Sequence, residues 1–403
     1  MKIIYLHQYF NTPNTHGSTR SFELAIRLVR DGHDVHMITS QQDNKKNKNH
    51  FSIENGIKVY WLPVLYSHKM GFYKRIIVFI NFSILAIKQC LKINSDLIIA
   101  SSTPLTITIP AIILKKIKNI PMVFEVRDLW PLIPIAMGEL KNSLLKGFAK
   151  KLESYSYLVS EKIIVLSSDM KKYLIKKGIE SKKIVTIPNF GSLKVDNENL
   201  DHKELNKVLK MIGDSPFILY AGAIGKVNGM SYLVDIAYET LKINKNVKFL
   251  MAGKGKEKSH IIKYSKQLNV LGNNLFIVNP ISKKELPYLI NRATLVSSFT
   301  IPIEELNYNS ANKFFDGLSA GKPVMINYGG WQKTLLEKER AGIVIPEDNS
   351  VKASGIINNF IIDEKKIFQY GKSAQKISLD YFSIDVLYKK FVDTLNTVLI
   401  NHD

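Results

Sequence analysis

The feature that most limits how this chain can fold is an alternation, met twice, of short apolar runs with longer stretches of helical periodicity. Residues 2–9 form an apolar run that ends in a polar loop at 11–17. Residues 18–30 then set Phe22, Ala25, Ile26 and Val29 on one helical face, Gly32 and His33 stop the helix, and 35–39 is a second apolar run. Strand, crossover helix and strand make a βαβ unit, which calls for a parallel sheet. The pattern continues with strands at 56–62, 96–101, 121–126, 163–167 and 184–187 and helices at 67–93, 106–116, 143–159 and 170–177. After Pro188 and Asn189 it breaks into VDNENLDHKELN, polar and charged, and then restarts at 217–220 with the same grammar. The chain therefore reads as α/β, two Rossmann-like domains facing across a cleft, at 1–190 and 205–380. An amphipathic helix at 386–399 closes the chain and has no core of its own.

Composition narrows the class. At 403 residues the chain exceeds one ordinary core, and 45% apolar with 23% charged residues is the balance of a soluble globular protein. The one cysteine, Cys90, excludes an internal disulfide and fits a reducing compartment. The start, MKIIYLHQYF, reads as a first strand and not as a signal peptide, because Gln8 and His7 interrupt the apolar run. The uncharged run from Ile76 to Ile87 has 12 residues, and a spanning helix needs about 20. Net charge is +21, with an excess of +14 in the first 200 residues and +7 in the rest. A basic first half suits an anionic partner such as a membrane surface. Lys69, Lys74 and Arg75 ahead of an apolar helix fit an interfacial segment, and a helix buried between sheet and neighbour has the same composition. Nucleic acid is not expected as a partner, since the charge is diffuse and base-stacking or groove-reading elements are absent.

Three stretches carry chemistry. In NSANKFFDGLSAGKPVMI, residues 309–326, Ser310 or Asn309 can cap a short helix whose free amides and positive dipole end then face an anion. Lys313 adds a positive charge in the first turn, and Asp316, three residues on, shares its face. The pair suits a ligand with phosphate at one end and a diol at the other; a solvated Lys–Asp pair on a capped helix reads the same way. In FEVRDLWPLIP, Arg127 and Asp128 stand at a strand's carboxyl end, where doubly wound sheets bind ligands, and the Trp and Pro residues beyond read as a rigid turn. Gly17 marks the first strand-to-helix turn as a lone glycine, not a GxGxxG fingerprint, and Arg20 one turn on can meet an anion or form a surface salt bridge.

In their order and spacing, HQYFNTPNTHGSTRSFELAIRLVRDGHDVHMITS, FEVRDLWPLIPIAMGEL, AGAIGKVNG, ANKFFDGLSAGKPV and INYGGW resemble the GT-B glycosyltransferases of family 4. These are retaining enzymes that use nucleotide sugars, and the likeness is to the branch of bacterial O-antigen and capsule clusters. The resemblance implies a donor pocket in the second domain. Lys226, beside Gly225, and Lys313 would meet the diphosphate together with the amides of Ser310, Ala311, Asn312 and Lys313. Asp316 would hold the ribose diol, and Asn279 and Pro280 would frame the base. Gly17, Arg20, Arg127 and Asp128 would line the facing side near the transferred sugar, and the last helix would return to the first domain. Two glutamates eight positions apart are usual in the family; here the second is Asp316 and the first position is Tyr308, so its contact would pass to Glu304 or Glu305. Asn228 stands where a second basic residue belongs, and the signature histidine of the first domain has no evident counterpart.

The resemblance further implies transfer with retention. Lys226, Lys313 and the helix start would stabilise the leaving diphosphate, with Arg127 and Asp128 at the reacting sugar and the departing phosphate accepting the acceptor's proton. No metal or other cofactor is called for. The expected donor is a UDP-linked sugar, N-acetylated or 6-deoxy, such as N-acetylfucosamine. The expected acceptor is a polyprenyl-diphosphate-linked saccharide at the inner face of the cytoplasmic membrane. A hydrolase or sugar-nucleotide epimerase on the same fold is the alternative, with Asp128 and Glu304 or Glu305 as an acid/base pair.

Overall fold

The computed structural model describes residues 1–13, 15, 17–41, 50–65, 70–191, 203–400 and 402. It divides into two compact units, Met1–Pro188 with Leu387–Asp403, and Asn189–Val386.

The first unit is built on eight strands: β1 (Lys2–Leu6), β2 (Asp34–Ser40), β3 (His50–Glu54), β4 (Ile57–Leu62), β5 (Leu97–Ser101), β6 (Met122–Val126), β7 (Lys162–Val165) and β8 (Ile184–Thr186). Their order across the sheet is β3, β4, β2, β1, β5, β6, β7, β8, and every neighbouring pair is parallel except β3 with β4. β5 and β6 are buried along their whole length and β1 from Ile3 onward, as a parallel sheet covered on both faces requires. β3 is an addition to the sequence reading. Asn55 and Gly56 both have positive φ, 51° and 87°, which joins β3 to β4 as a tight hairpin. The WPLIP loop also differs from expectation, because Leu132–Ala136 is a short helix. Lys69 and most of the polar loop after β2 lie outside the described residues.

The C-terminal helix Ile384–Ile400 contributes Leu387, Phe391, Leu395 and Val398 as a buried stripe, and its Tyr388 hydroxyl donates to Asp31 Oδ2 at 2.5 Å. Leu387 to the end thus belongs to the first unit. Among the described residues, no helix is long and apolar enough to cross a membrane.

The second unit holds β9 (Phe217–Ala223), β10 (Lys248–Lys254), β11 (Leu275–Val278), β12 (Leu295–Ser298), β13 (Val324–Ile326) and β14 (Gly342–Val344), ordered β11, β10, β9, β12, β13, β14 and parallel throughout. The polar stretch read as a break contains the start of a helix, Lys203–Ile212. Its Leu205, Val208 and Ile212 are buried against Leu219 of β9 and Leu250 of β10. The other face of the sheet is covered by the helices Met230–Ile243 and Ser350–Ile361.

Candidate active site

All strands of the second unit run the same way, so the loops after β9, β11, β12 and β13 open on one edge of the sheet. Lys313 and Asp316 reach that edge on the helix Asn312–Ser319, and the packing beneath it fixes them there. Phe314 and Phe315 turn inward. The Phe315 ring lies 6.0 Å from Trp331 and 5.2 Å from Phe382, and Phe314 lies 5.7 Å from Trp331. INYGGW supplies Trp331 and also ties down the approach to the helix: the indole Nε1 donates to Asn309 O at 2.9 Å, and the Gly329 amide donates to Asn307 Oδ1 at 2.9 Å.

Neither Ser310 nor Asn309 caps this helix, which corrects the sequence reading. Ala311 holds the N-cap position. Ser310 is buried, and its carbonyl accepts from Asn189 Nδ2 at 2.6 Å while its hydroxyl accepts from the Asn189 amide at 3.4 Å. Asn309 Oδ1 accepts from the Ala311 amide at 3.2 Å. With no side chain capping it, the helix start keeps its positive dipole end for a ligand.

The Lys313 Nζ sits 5.0 Å from the centre of the Tyr220 ring. Its stem runs so close to β9 that a Cβ at Gly222 would lie 3.0 Å from Lys313 Cε, a contact the lysine would have to shift to relieve. Burial pushes the Lys313 ammonium down to about 8, with the Asp316 carboxylate opposing the fall. An ammonium short of water in this way gains from a bound anion.

Lys226 is exposed on the 3-10 turn Lys226–Asn228, next to Gly225. Both line a cavity of about 310 Å³ with the first turn of the helix Met230–Ile243, Glu257, Asn327 and Glu347. Its wall is braced: the Thr300 amide donates to Asn327 Oδ1 at 3.0 Å, Asn327 Nδ2 donates to Thr300 O at 2.8 Å, and the Ile301 amide donates to Val227 O at 2.9 Å. Glu304 and Glu305 start the 3-10 turn Glu304–Tyr308 in the same loop. Asn279 and Pro280 follow β11, and Asn279 Oδ1 accepts from Lys258 Nζ at 2.9 Å.

In the first unit, Gly17 and Arg20 follow β1 and Arg127 and Asp128 follow β6, on the carboxyl edge of that sheet. Arg20 makes a salt bridge, one of the two readings its sequence position allowed, though not at the surface. It is buried, its Nε donates to Glu125 Oε1 at 2.8 Å, and its terminal nitrogens donate to the carbonyls of Ile187 and Pro188 at 2.9 and 2.5 Å. Glu125 is fully buried and also accepts from Ser101 Oγ at 2.6 Å. Burial alone would raise its carboxyl, but the Arg20 and Arg127 charges and the Ser101 hydroxyl hold it below the ordinary range. Arg20 is thus a structural cation, and a buried carboxylate is the reason.

Arg127 follows β6, and a histidine holds its guanidinium. Its Nη1 lies 3.0 Å from His7 Nε2. A guanidinium only donates, so Nε2 is the accepting nitrogen, and Nδ1 carries the proton it gives to Ser21 Oγ at 2.7 Å. Burial, with the Arg127 charge second, pushes His7 down to about 3. His7 was not singled out from the sequence; its one signal is a polar side chain directly after the first strand. Crowding around the Asp128 carboxyl pushes it above the ordinary range, against the pull of the Arg127 charge.

Residues 17–192 match the family described as Glycosyltransferase Family 4, and residues 201–377 the family described as Glycosyl transferases group 1. No curated protein matches the chain in sequence. In structure it is similar to sucrose-phosphate synthase from Thermosynechococcus elongatus, at 15% identity over 99% of each chain with a TM-score of 0.79. It is similar to Anabaena HepE, solved in complex with UDP-glucose, at 15% identity over 98% of this chain and 100% of that one, TM-score 0.72. It is also similar to WaaG, a glycosyltransferase involved in lipopolysaccharide biosynthesis, at 14% identity over 97% and 98% of the two chains, TM-score 0.67. At such identities these likenesses carry the fold, two Rossmann-like α/β domains of the GT-B kind. The two family matches take in most of the chain, which is a GT-B glycosyltransferase of hexosyltransferase type, with a family 4 N-terminal segment and a group 1 C-terminal segment.

Proposed function

We propose that the enzyme moves a sugar, with retention, from a UDP-linked donor to a lipid-linked saccharide in the assembly of a bacterial surface polysaccharide, O-antigen or capsule. The observation that carries this reading is the uncapped start of the helix Asn312–Ser319, with Lys313 at the tip of β9 and Asp316 on the same helix. The helix amides and Lys313 take the diphosphate, with Lys226 contributing from the neighbouring loop. Asp316 takes the ribose diol, and the loop at Asn279 and Pro280 takes the base. Arg127, aimed by His7, and Asp128 serve the transferred sugar and the acceptor. Tyr308 stands where a sugar-contacting glutamate is usual, so Glu304 or Glu305 makes that contact. The leaving phosphate accepts the acceptor's proton, so neither a protein nucleophile nor a metal has a role in this scheme. A neighbour solved with UDP-glucose and another involved in lipopolysaccharide biosynthesis support the donor and the pathway. The N-acetylated or 6-deoxy donor, the polyprenyl diphosphate carrier and the place at the inner face of the cytoplasmic membrane belong to the same proposal.

The test is incubation with a panel of UDP-sugars, with and without a polyprenyl-diphosphate-linked saccharide. UDP release that depends on the acceptor, with the donor's anomeric configuration kept in the product by NMR, is the expected result. Equal release without acceptor would point to a hydrolase, and an altered sugar still attached to UDP to an epimerase.

A further inference from the structure

The crossovers from β4 to β5, β5 to β6 and β6 to β7 are the helices Phe72–Cys90, Thr108–Lys118 and Ser143–Val159. They step in one direction across the sheet, so right-handed connections set them on one face, and the middle helix packs against both others. Each leaves apolar side chains uncovered. Ile77, Ile80 and Ile84 of the first are 58, 51 and 46% exposed, with Lys74 and Lys88 exposed at the two ends of the same stripe. Leu144, Phe148 and Leu158 of the third are 84, 60 and 68% exposed, and Lys150 and Lys151 lie between them. Ile117 of the middle helix is exposed as well, and Lys116 lies over the Tyr155 ring at 5.2 Å, which joins the second helix to the third. Neighbouring exposed apolar groups of this number mark an interaction surface, where single ones would not.

Charge identifies the partner. The three helices carry nine lysines and arginines and one acidic residue, Glu153, which is buried and paired with Lys177. An apolar stripe rimmed only by cations fits a surface that is apolar beneath and anionic above. A groove of about 330 Å³ between Pro63–Leu65 and Val78, Ile84 and Leu85, with Asn81 in its wall, adjoins the first stripe. We propose that this three-helix face docks on an anionic lipid bilayer, lying in the interface without crossing it. The proposal rests on the reading that the acceptor is lipid-borne, and it assigns the surface by which the enzyme reaches it.

The test is flotation of the full chain with vesicles of phosphatidylcholine containing phosphatidylglycerol, against phosphatidylcholine alone. Binding to the anionic vesicles only, weakened by salt, is expected. Lys150→Gln with Lys151→Gln should weaken it about five-fold per lysine. Leu144→Ser with Phe148→Ser, and Ile77→Ser with Ile84→Ser, should each abolish most of it with melting unchanged, since all four positions are exposed. Ile53→Ser, at a 64% exposed site on β3, should leave it unaltered. Equal binding to neutral vesicles, no binding to anionic ones, or full binding by the variants would overturn the proposal. So would a dimer in sedimentation velocity that Phe148→Ser dissolves, which would give the face to a second copy. Vesicle binding without transfer to any lipid-linked saccharide would uphold the docking face and refute the acceptor reading.

Discussion

Lys313 is held in two states by its surroundings: burial favours the neutral amine, and a diphosphate would favour the ammonium. With its ammonium pushed down to about 8, donor affinity should fall as pH rises through that value, because the neutral form no longer attracts the anion. Lys313→Arg, which stays charged, should flatten the profile between pH 7 and 9, as read by titration calorimetry with UDP. His7 has the converse linkage. Its folded value, about 3, lies below the 6.5 of an unperturbed histidine, so the unfolded chain binds the proton first. Stability should therefore drop as pH falls from about 6.5 towards 3. His7→Gln should make that acid limb shallower, and its amide oxygen can still accept from Arg127. His7→Ala cannot, and should lower turnover by roughly five- to 150-fold, the cost of about 1–3 kcal/mol for a donor left without its partner. Equal rates in the Gln and Ala variants would remove His7 from the account.

Among the elements, the helix Asn312–Ser319, on which the proposed donor site rests, is held in place by the aromatic residues behind it. Phe315→Ala should cost about 3–5 kcal/mol and release the helix from Trp331 and Phe382, seen as a lower melting midpoint. Trp331→Phe keeps most of the ring packing and deletes the bond to Asn309 O, so donor affinity should weaken while stability falls by only about 1 kcal/mol. The same element shows what the sequence could reveal. Lys313 and Asp316 were legible because a lysine in a first helical turn opposes the dipole and asks for an anion. The true cap was not, since Ser310 is claimed by Asn189, 121 positions away. The partner of Arg20 and the role of His7 escaped for the same reason: Glu125 lies 105 residues from Arg20, and Arg127 lies 120 residues from His7. Long apolar strands such as β5 could be read directly, whereas β3, with exposed Phe51 and a polar run before it, announced itself only through Asn55-Gly56. The helix Lys203–Ile212 was masked by its own polar face.

For the whole molecule, the chain's last helix completes the first unit. Truncation after Val386 would expose Leu387, Phe391, Leu395 and Val398, about 1.5–3 kcal/mol each, a sum comparable to the whole stability of a domain. The truncated chain should lose the melting transition of its first unit while UDP still binds the second. The central claim is that the second unit holds a nucleoside diphosphate through Lys313, the open helix start and Lys226. Titration of UDP into the wild type, Lys313→Ala and Lys226→Ala tests it most directly. Binding to the wild type, weakened roughly 10- to 150-fold in each variant by loss of about 1.5–3 kcal/mol of charged contact, is the expected result. Equal affinity in all three proteins, or no binding of any nucleoside diphosphate to the wild type, would contradict it.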